Sequence, residues 1–448
     1  MRFGAATFPV RGFGLGLALF AWAACGLAGE QESPIRSGPM FTAQEEREIL
    51  RFSPLPPVPP DPTNAVADDP RAARFGQFLF FDERLSGSGE HSCATCHRPE
   101  HGFADDQPLT PGMGPATRHT QGLLYAGYHR WYLWDGRADS LWAQALGPIE
   151  NPDELGFSRL EVAHLIHGDD DLRRAYVDIF GELPELEDVQ RFPLSGRPIT
   201  DDTEHDEHVA WSSMTVTDQT AVNTVFANVG KALAAYQRLL VPGPAPIDTY
   251  VEGLRTGDSG KRDALSPAAE RGLKLFVGRG NCVLCHSGPL MTDLEFHNLA
   301  LGDRDWLTPG DRGRSEGIER IYADPFTGGG AFSDAPDSEE GRQVARIAID
   351  PEEQPGQFKT PVLRNVAQTP PYMHGGHFAS LEEVVRFYSE IDEQPSQLIG
   401  HRDELLFPLS LNEQQIKHLV AFLESLTGSP LPEELLVQPS RPYLPEEP

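Results

Sequence analysis

Four of the five cysteines in this 448-residue chain fall into two C-x-x-C-H units. Cys93, Cys96 and His97 stand in "SCATCHRP", and Cys282, Cys285 and His286 in "NCVLCHSG". Two thiols two residues apart can clamp zinc, run disulfide exchange, or add across the vinyl groups of a haem. Only the last gives the adjoining histidine a fixed task, as axial ligand of the iron. Zinc ribbons pair their knuckles over roughly 15–20 residues, whereas almost two hundred separate these two, and no βαβ alternation of the thioredoxin kind surrounds either. The motifs therefore predict two covalently bound c-type haems, with His97 and His286 as iron ligands.

Between the motifs, "RWYLWDGRADSLWAQALGPIENPDELGF" carries Trp134, Gln144 and Glu154 at ten-residue intervals. Ten steps do not return to one helix face, and Gly147-Pro148 and Asn151-Pro152 are expected to interrupt any helix there. Only the tertiary fold can bring these three side chains together.

The elements that must position the motifs form a loose repeat. "RFGQFLFFDERLSGSGEHSCATCH" and "RGLKLFVGRGNCVLCH" share Arg-Gly-x-x-Leu-Phe spacing, with Gly76 on Gly272, Leu79 on Leu275 and Phe80 on Phe276 once the extra Phe75 is passed over. Each copy predicts a short helix running into its C-x-x-C-H. Each half also ends in an amphipathic helix: Val222, Val225, Phe226, Val229, Leu233 and Tyr236 in the first, Ile416, Leu419, Val420, Leu423 and Leu426 in the second, read as core stripes. The prolines of "VPGPAPIDTY" place a boundary near Pro242 to Pro246. The expected fold is mainly α: two cytochrome c-like domains, 41–241 and 247–430, each with one haem, plus long loops and a tail over 431–448. Two stretches, 191–213 and 302–341, read as aperiodic excursions; His205 and His208 in the first read as part of a solvated acidic loop rather than metal ligands.

The N-terminus opens with two arginines, an apolar run from Gly12 to Ala24 and small residues, and reads as a cleaved signal over 1–29 that sends the protein to the periplasm. "WAAC" resembles a lipoprotein cleavage box with Trp in place of Leu, which offers cleavage before Cys25 and a lipid anchor as the alternative. No further stretch is apolar enough to span a membrane. A net charge of −30 with no basic patch excludes a phosphate-binding surface, and hence nucleic acid.

The combination of "CATCH", "WDGRADSLWAQALGPIENPDELG", "CVLCH", "FKTPVLRNVAQTPPYMHGG" and "SLEEVVRFY" resembles the bacterial dihaem cytochrome c peroxidase and MauG family, including its MbnH-like members, over nearly all of the chain after the signal. The resemblance implies that the His97 haem meets hydrogen peroxide, with Gln144 orienting it, Glu154 as acid/base catalyst and Trp134 relaying electrons between the haems. It implies that the His286 haem handles electron transfer. The family's "LxEAVxxM" motif reads "LEEVVRFY" here, which puts Tyr388 in the sixth-ligand place, as in MauG; Met373 in "PPYMHGG" is the rival. The distal His of the ordinary peroxidases falls near Pro111, with Met113 and His119 nearby. A calcium between the domains is implied through Thr369 and Pro371, although the expected Asn is His119.

Three functions follow as expectations: MauG- or MbnH-like oxidation of a partner protein side chain, detoxification of peroxide with a small cytochrome or cupredoxin donor, and, from another class, non-catalytic electron transfer.

Overall fold

The structure, a computed structural model, describes residues 40–110, 112–301, 310–391 and 398–444. The expected N-terminal signal, Cys25, Pro111 and the last residues of the tail lie outside them. None of the helices described is long and apolar enough to cross a membrane.

Helices dominate, and the only sheet described is the two-residue pairing of Phe296–His297 with Phe358–Lys359. The helices expected from the repeat are present. Pro70–Phe80 starts with Asp69 accepting from the Arg71 N–H and proline in the first turn, and Pro267–Val277 starts the same way from Ser266. Val216–Gln237 and Glu413–Glu424 are capped by Thr215 and Asn412.

Each early helix crosses the late helix of its half at a glycine. A Cβ on Gly76 would sit 1.9 Å from the Ala232 carbonyl oxygen, and one on Gly272 would sit 1.9 Å from that of His418. No side chain fits either crossing, so the aligned glycines mark contact between helix backbones. Beside each crossing an aromatic pair meets, Phe80 with Tyr236 at 5.2 Å and Phe276 with Phe422 at 5.0 Å.

The buried side chains gather in two large clusters. One holds Phe75, Phe80, Trp142, Phe226 and Leu233 with the rest of the first predicted stripe. The other holds Ile247, Tyr250, Phe276 and, from the second stripe, Ile416, Leu419, Leu423 and Leu426, with Val420 half-buried against it. Between them, residues 241–245 carry no helix.

The first and last described segments are exchanged between the clusters. The helix Ala43–Ile49 buries Ile49 in the second, where Glu45 meets Lys274 at 2.5 Å. Leu431, Leu435, Leu436 and Tyr443 pack on the first, where the Leu435 carbonyl accepts from Tyr236 Oη at 2.6 Å. By contacts, everything from Phe41 onward forms one compact unit.

Two expectations need correction. A single helix, Leu141–Glu150, continues through Gly147-Pro148 and stops only before Asn151-Pro152. Pro148 lies near its C-terminal end, so the one lost bond, to the Gln144 carbonyl, is tolerated. The excursions also contain helices, Asp206–Ser212 and Arg314–Ala323. His205 caps the first of these by accepting from the Glu207 N–H, and His208 accepts from the Ile199 N–H.

Candidate functional site

Both C-x-x-C-H motifs form one tight turn, Cys93–Cys96 as a short helix and Cys282–Leu284 as 3₁₀. In each, the histidine Nδ1 lies 2.9 Å from a backbone carbonyl, His97 on Phe103 and His286 on Met291. Donation from Nδ1 leaves Nε2 as the lone-pair nitrogen, the form in which imidazole binds iron. Phe103 and Met291 both adopt left-handed backbone, φ 58° and 54°, a conformation that is unfavourable for residues with a Cβ. In each half a left-handed residue thus presents its carbonyl to the histidine. Burial pushes His97 down to about 4 and lowers His286 as well, so both rings are neutral. Burial pushes the Cys93 thiol up to about 12, Cys96 to about 11 and Cys282 to about 12. These donors suit haem, whose vinyl carbons consume the thiols and whose iron takes the freed nitrogen.

The first motif opens on a cavity of about 50 Å³ that Gln144, Pro148, Glu154, Leu233 and Gln237 also line. Gln144 and Glu154, separated in sequence, are therefore brought together beside His97. Gln144 is 8% exposed and its Oε1 has no hydrogen-bond partner. Glu154 accepts from Asn151 Nδ2 at 2.7 Å. Its backbone is covered by the strip Gly112 to Gly114, where a Cβ on Gly112 would come within 2.5 Å of the Asp153 carbonyl.

The second motif opens on a larger cavity of about 320 Å³, lined by Trp134, Met373, Tyr388, Thr369 and Pro371 among others. Trp134 lines this cavity and not the first. Its Nε1 donates to the His119 carbonyl at 2.8 Å, and its own carbonyl accepts from the Lys359 N–H. Tyr388 and its rival Met373 both face this cavity; burial beside Cys282 and Cys285 pushes the Tyr388 phenol well above its ordinary value. His119 lines this cavity too, its Nδ1 2.9 Å from the Gln107 carbonyl, while Met113 is exposed and lines neither.

Three features escaped the sequence reading. Lys359 is buried against the cavity, its Nζ 2.8 Å from His129 Nδ1 and 3.1 Å from the Trp131 carbonyl, and burial pushes it down to about 7. A buried amine there suits the carboxylates of a haem. Asp293 and Asp403 grip the two ring nitrogens of His297 at 2.9 and 2.5 Å, and these carboxylates push it well above its ordinary value.

The third feature is a second repeat. The bridges Tyr132 to Ala138 and Tyr372 to Phe378 lead into helices Leu141–Glu150 and Leu381–Glu390, capped by Ser140 and Ser380. The shared signal, Tyr-x-x-x-Gly-x-x-x-Ser-Leu, was available in the sequence. Counted from the capping serines, Gln144 occupies the place of Val384, and Pro148 that of Tyr388. All four line their cavities. Where one half presents a phenol, the other presents a ring with no donor atom.

A family model described as di-haem cytochrome c peroxidase matches residues 70–256. The chain is 31% identical over 420 residues to the methylamine utilization protein MauG of Methylorubrum extorquens, covering 92% of this chain and 95% of that protein. It is 31% identical to the cytochrome-c peroxidase IdrP1 of Denitromonas iodatirespirans, over 84% of this chain and 87% of that one. Among solved structures it resembles a MauG-like protein associated with microbial copper homeostasis, with a TM-score of 0.57 and 26% identity over 86% of this chain and 99% of that one.

Proposed function

The chain belongs to the di-haem cytochrome c peroxidase and MauG family, an oxidoreductase family with two haems, and from that membership we propose that hydrogen peroxide reacts at the first motif while the second carries electrons. The exchange of Tyr388 for Pro148 carries this assignment: the first site has no phenol to occupy the face that a peroxide must reach.

Bound covalently through Cys93, Cys96, Cys282 and Cys285, the haems supply an iron that takes up peroxide and a second redox centre. The chain's own residues do the rest. Glu154 takes a proton from the near oxygen of peroxide and returns it to the departing one. Asn151 holds one oxygen of that carboxylate at 2.7 Å and leaves the other for the proton. Gln144 Oε1, buried and unpaired, accepts from a peroxide O–H and orients it. His97 and His286 present Nε2 to their irons, and Trp134 relays electrons from its place on the second cavity.

Tyr388 favours oxidation of a partner protein side chain such as tryptophan. A phenolate is a hard anionic ligand that stabilises ferric and higher iron, so the second centre would share oxidising equivalents rather than simply refill the first. Met373, which lines the same cavity, supports a second reading, a peroxidase fed by a small cytochrome or cupredoxin. A pure electron carrier would leave the polar set of the first cavity without work. Calcium fits less well. Thr369 and Pro371 line the second cavity, but His119 stands where the family's Asn is expected, its Nδ1 engaged with Gln107, and calcium plays no part in the chemistry proposed. The signal-like 1–29 segment supports a periplasmic location, with Cys25 as the alternative lipid anchor.

Glu154→Gln in the haem-loaded protein tests the assignment. The reaction with peroxide, followed by stopped-flow absorbance, should slow by roughly 10²–10⁴-fold with both haems retained; an unchanged rate with intact haems would make Glu154 structural.

A further inference from the structure

Leu233 and Gln237 lie one turn apart on the helix Val216–Gln237, and both line the first cavity. Their counterparts follow from the crossing glycines. Gly76 meets Ala232 and Gly272 meets His418, so Leu233 corresponds to Leu419 and Gln237 to Leu423. The aromatic pairs keep this register, since Tyr236 and Phe422 stand just before these last two. Leu419 and Leu423 line the second cavity as Leu233 and Gln237 line the first. A leucine therefore fits this place in the frame, and the first half carries an amide instead.

An amide here is unfavourable unless something bonds it. Gln237 is 4% exposed and its Oε1 has no hydrogen-bond partner. A buried acceptor gives up its water and regains nothing until a donor arrives. Gln144, in the same cavity, has an unpaired Oε1 as well. Two residues with unpaired acceptors therefore line one small cavity, which Glu154 lines as well. The hydrogen-bonding groups of haem are its carboxylates, themselves acceptors, so haem alone cannot satisfy them. Water and hydrogen peroxide can, because each brings two O–H donors.

We propose that Gln237 is a positioning residue of the peroxide site, its Oε1 accepting a hydrogen bond from a water or peroxide molecule held in the first cavity. This rests on the assignment of peroxide chemistry to that cavity. It adds a third residue, from a different helix, to Gln144 and Glu154. It also explains why the amide occurs in one half and leucine in the other.

The test is Gln237→Leu in the haem-loaded protein, which installs the residue that the second half already accommodates. Both haems should be retained and the spectrum of the second left unchanged. The resting spectrum of the first should shift as its water is lost, and the bimolecular rate with peroxide should fall about tenfold, the worth of one hydrogen bond. Gln237→Glu, which keeps an acceptor oxygen, should recover most of that rate. A Leu variant with the parent's rate and an unshifted first-haem spectrum overturns the proposal. If the Leu variant does not load haem, Gln237→Met, as long and without an acceptor, carries the same test with the same two outcomes. A parent protein inert to peroxide would instead overturn the assignment of the cavity itself.

Discussion

The two halves hold their cavities in nearly the same frame and furnish them with opposite chemistry. Both use a glycine crossing, an aromatic pair, a C-x-x-C-H turn and a left-handed residue whose carbonyl meets the histidine. Inside that frame the first half has Gln144, Pro148 and Gln237 where the second has Val384, Tyr388 and Leu423. The first set offers unpaired acceptors and no phenol; the second offers a phenol among apolar neighbours. The frame is shared, and these three positions give the two cavities their different linings.

Removing one attachment at a time should have the largest effect. Replacing Cys93 and Cys96 by Ala should lower the denatured mass by one haem, and replacing Cys282 and Cys285 should do the same. Two haems surviving in either variant would show that the motif is not the covalent site.

Pro148→Tyr makes the first cavity resemble the second. If the first haem rests without a sixth protein ligand, its resting spectrum should change from high-spin to low-spin as the phenol binds, and the reaction with peroxide should be suppressed. A persisting high-spin spectrum would mean that the correspondence with Tyr388 does not extend to the iron.

Tyr388→Met acts on the other half and should act more gently. The second haem's reduction potential should rise, because a thioether favours ferrous iron, while the first haem's reaction with peroxide stays close to that of the parent. An unmoved potential would take Tyr388 off the iron, make Met373 the first substitute and return the balance to the donor-fed peroxidase.

The frame itself predicts a matched pair of smaller effects. Gly76→Ala and Gly272→Ala each force a methyl to within 1.9 Å of a carbonyl oxygen across a helix crossing. Each should cost about 1–3 kcal/mol of stability, read by denaturant unfolding. Unequal losses would show that one crossing relaxes more readily than the other.

Much of this was legible beforehand because it rests on short-range rules. The four helices of the crossing pairs follow from Asp69-Pro70, Ser266-Pro267 and the periodic stripes, and the haem motifs from their spacing. The convergence of Gln144 and Glu154 became readable only through family resemblance, since helix geometry cannot join residues ten apart. Three things were not legible. Helix propensity alone suggests a break at Pro148, but so late in a helix the proline costs one bond. His205 and His208 read as solvated rather than metal-binding, but nothing in the sequence shows that they accept from the Glu207 and Ile199 N–H groups. Gln237 follows directly on a stripe that reads as core, and only the counterpart leucine in the other half shows that its polarity needs explaining.

The exchange of chain ends has a consequence for biogenesis. A polypeptide made from its N-terminus has the C-x-x-C-H at Cys93 long before Phe326 and Leu431–Tyr443 exist to finish packing around it. The first half should therefore stay incomplete, and its thiols accessible to the attachment machinery, until synthesis is nearly over. The helix Ala43–Ile49, made first, waits for a cluster that forms last. Neither half is then a free-standing module that could be cut out or duplicated alone, and a chain stopped at the proline-rich linker should behave as two unfinished folds rather than as one finished half and its absent twin.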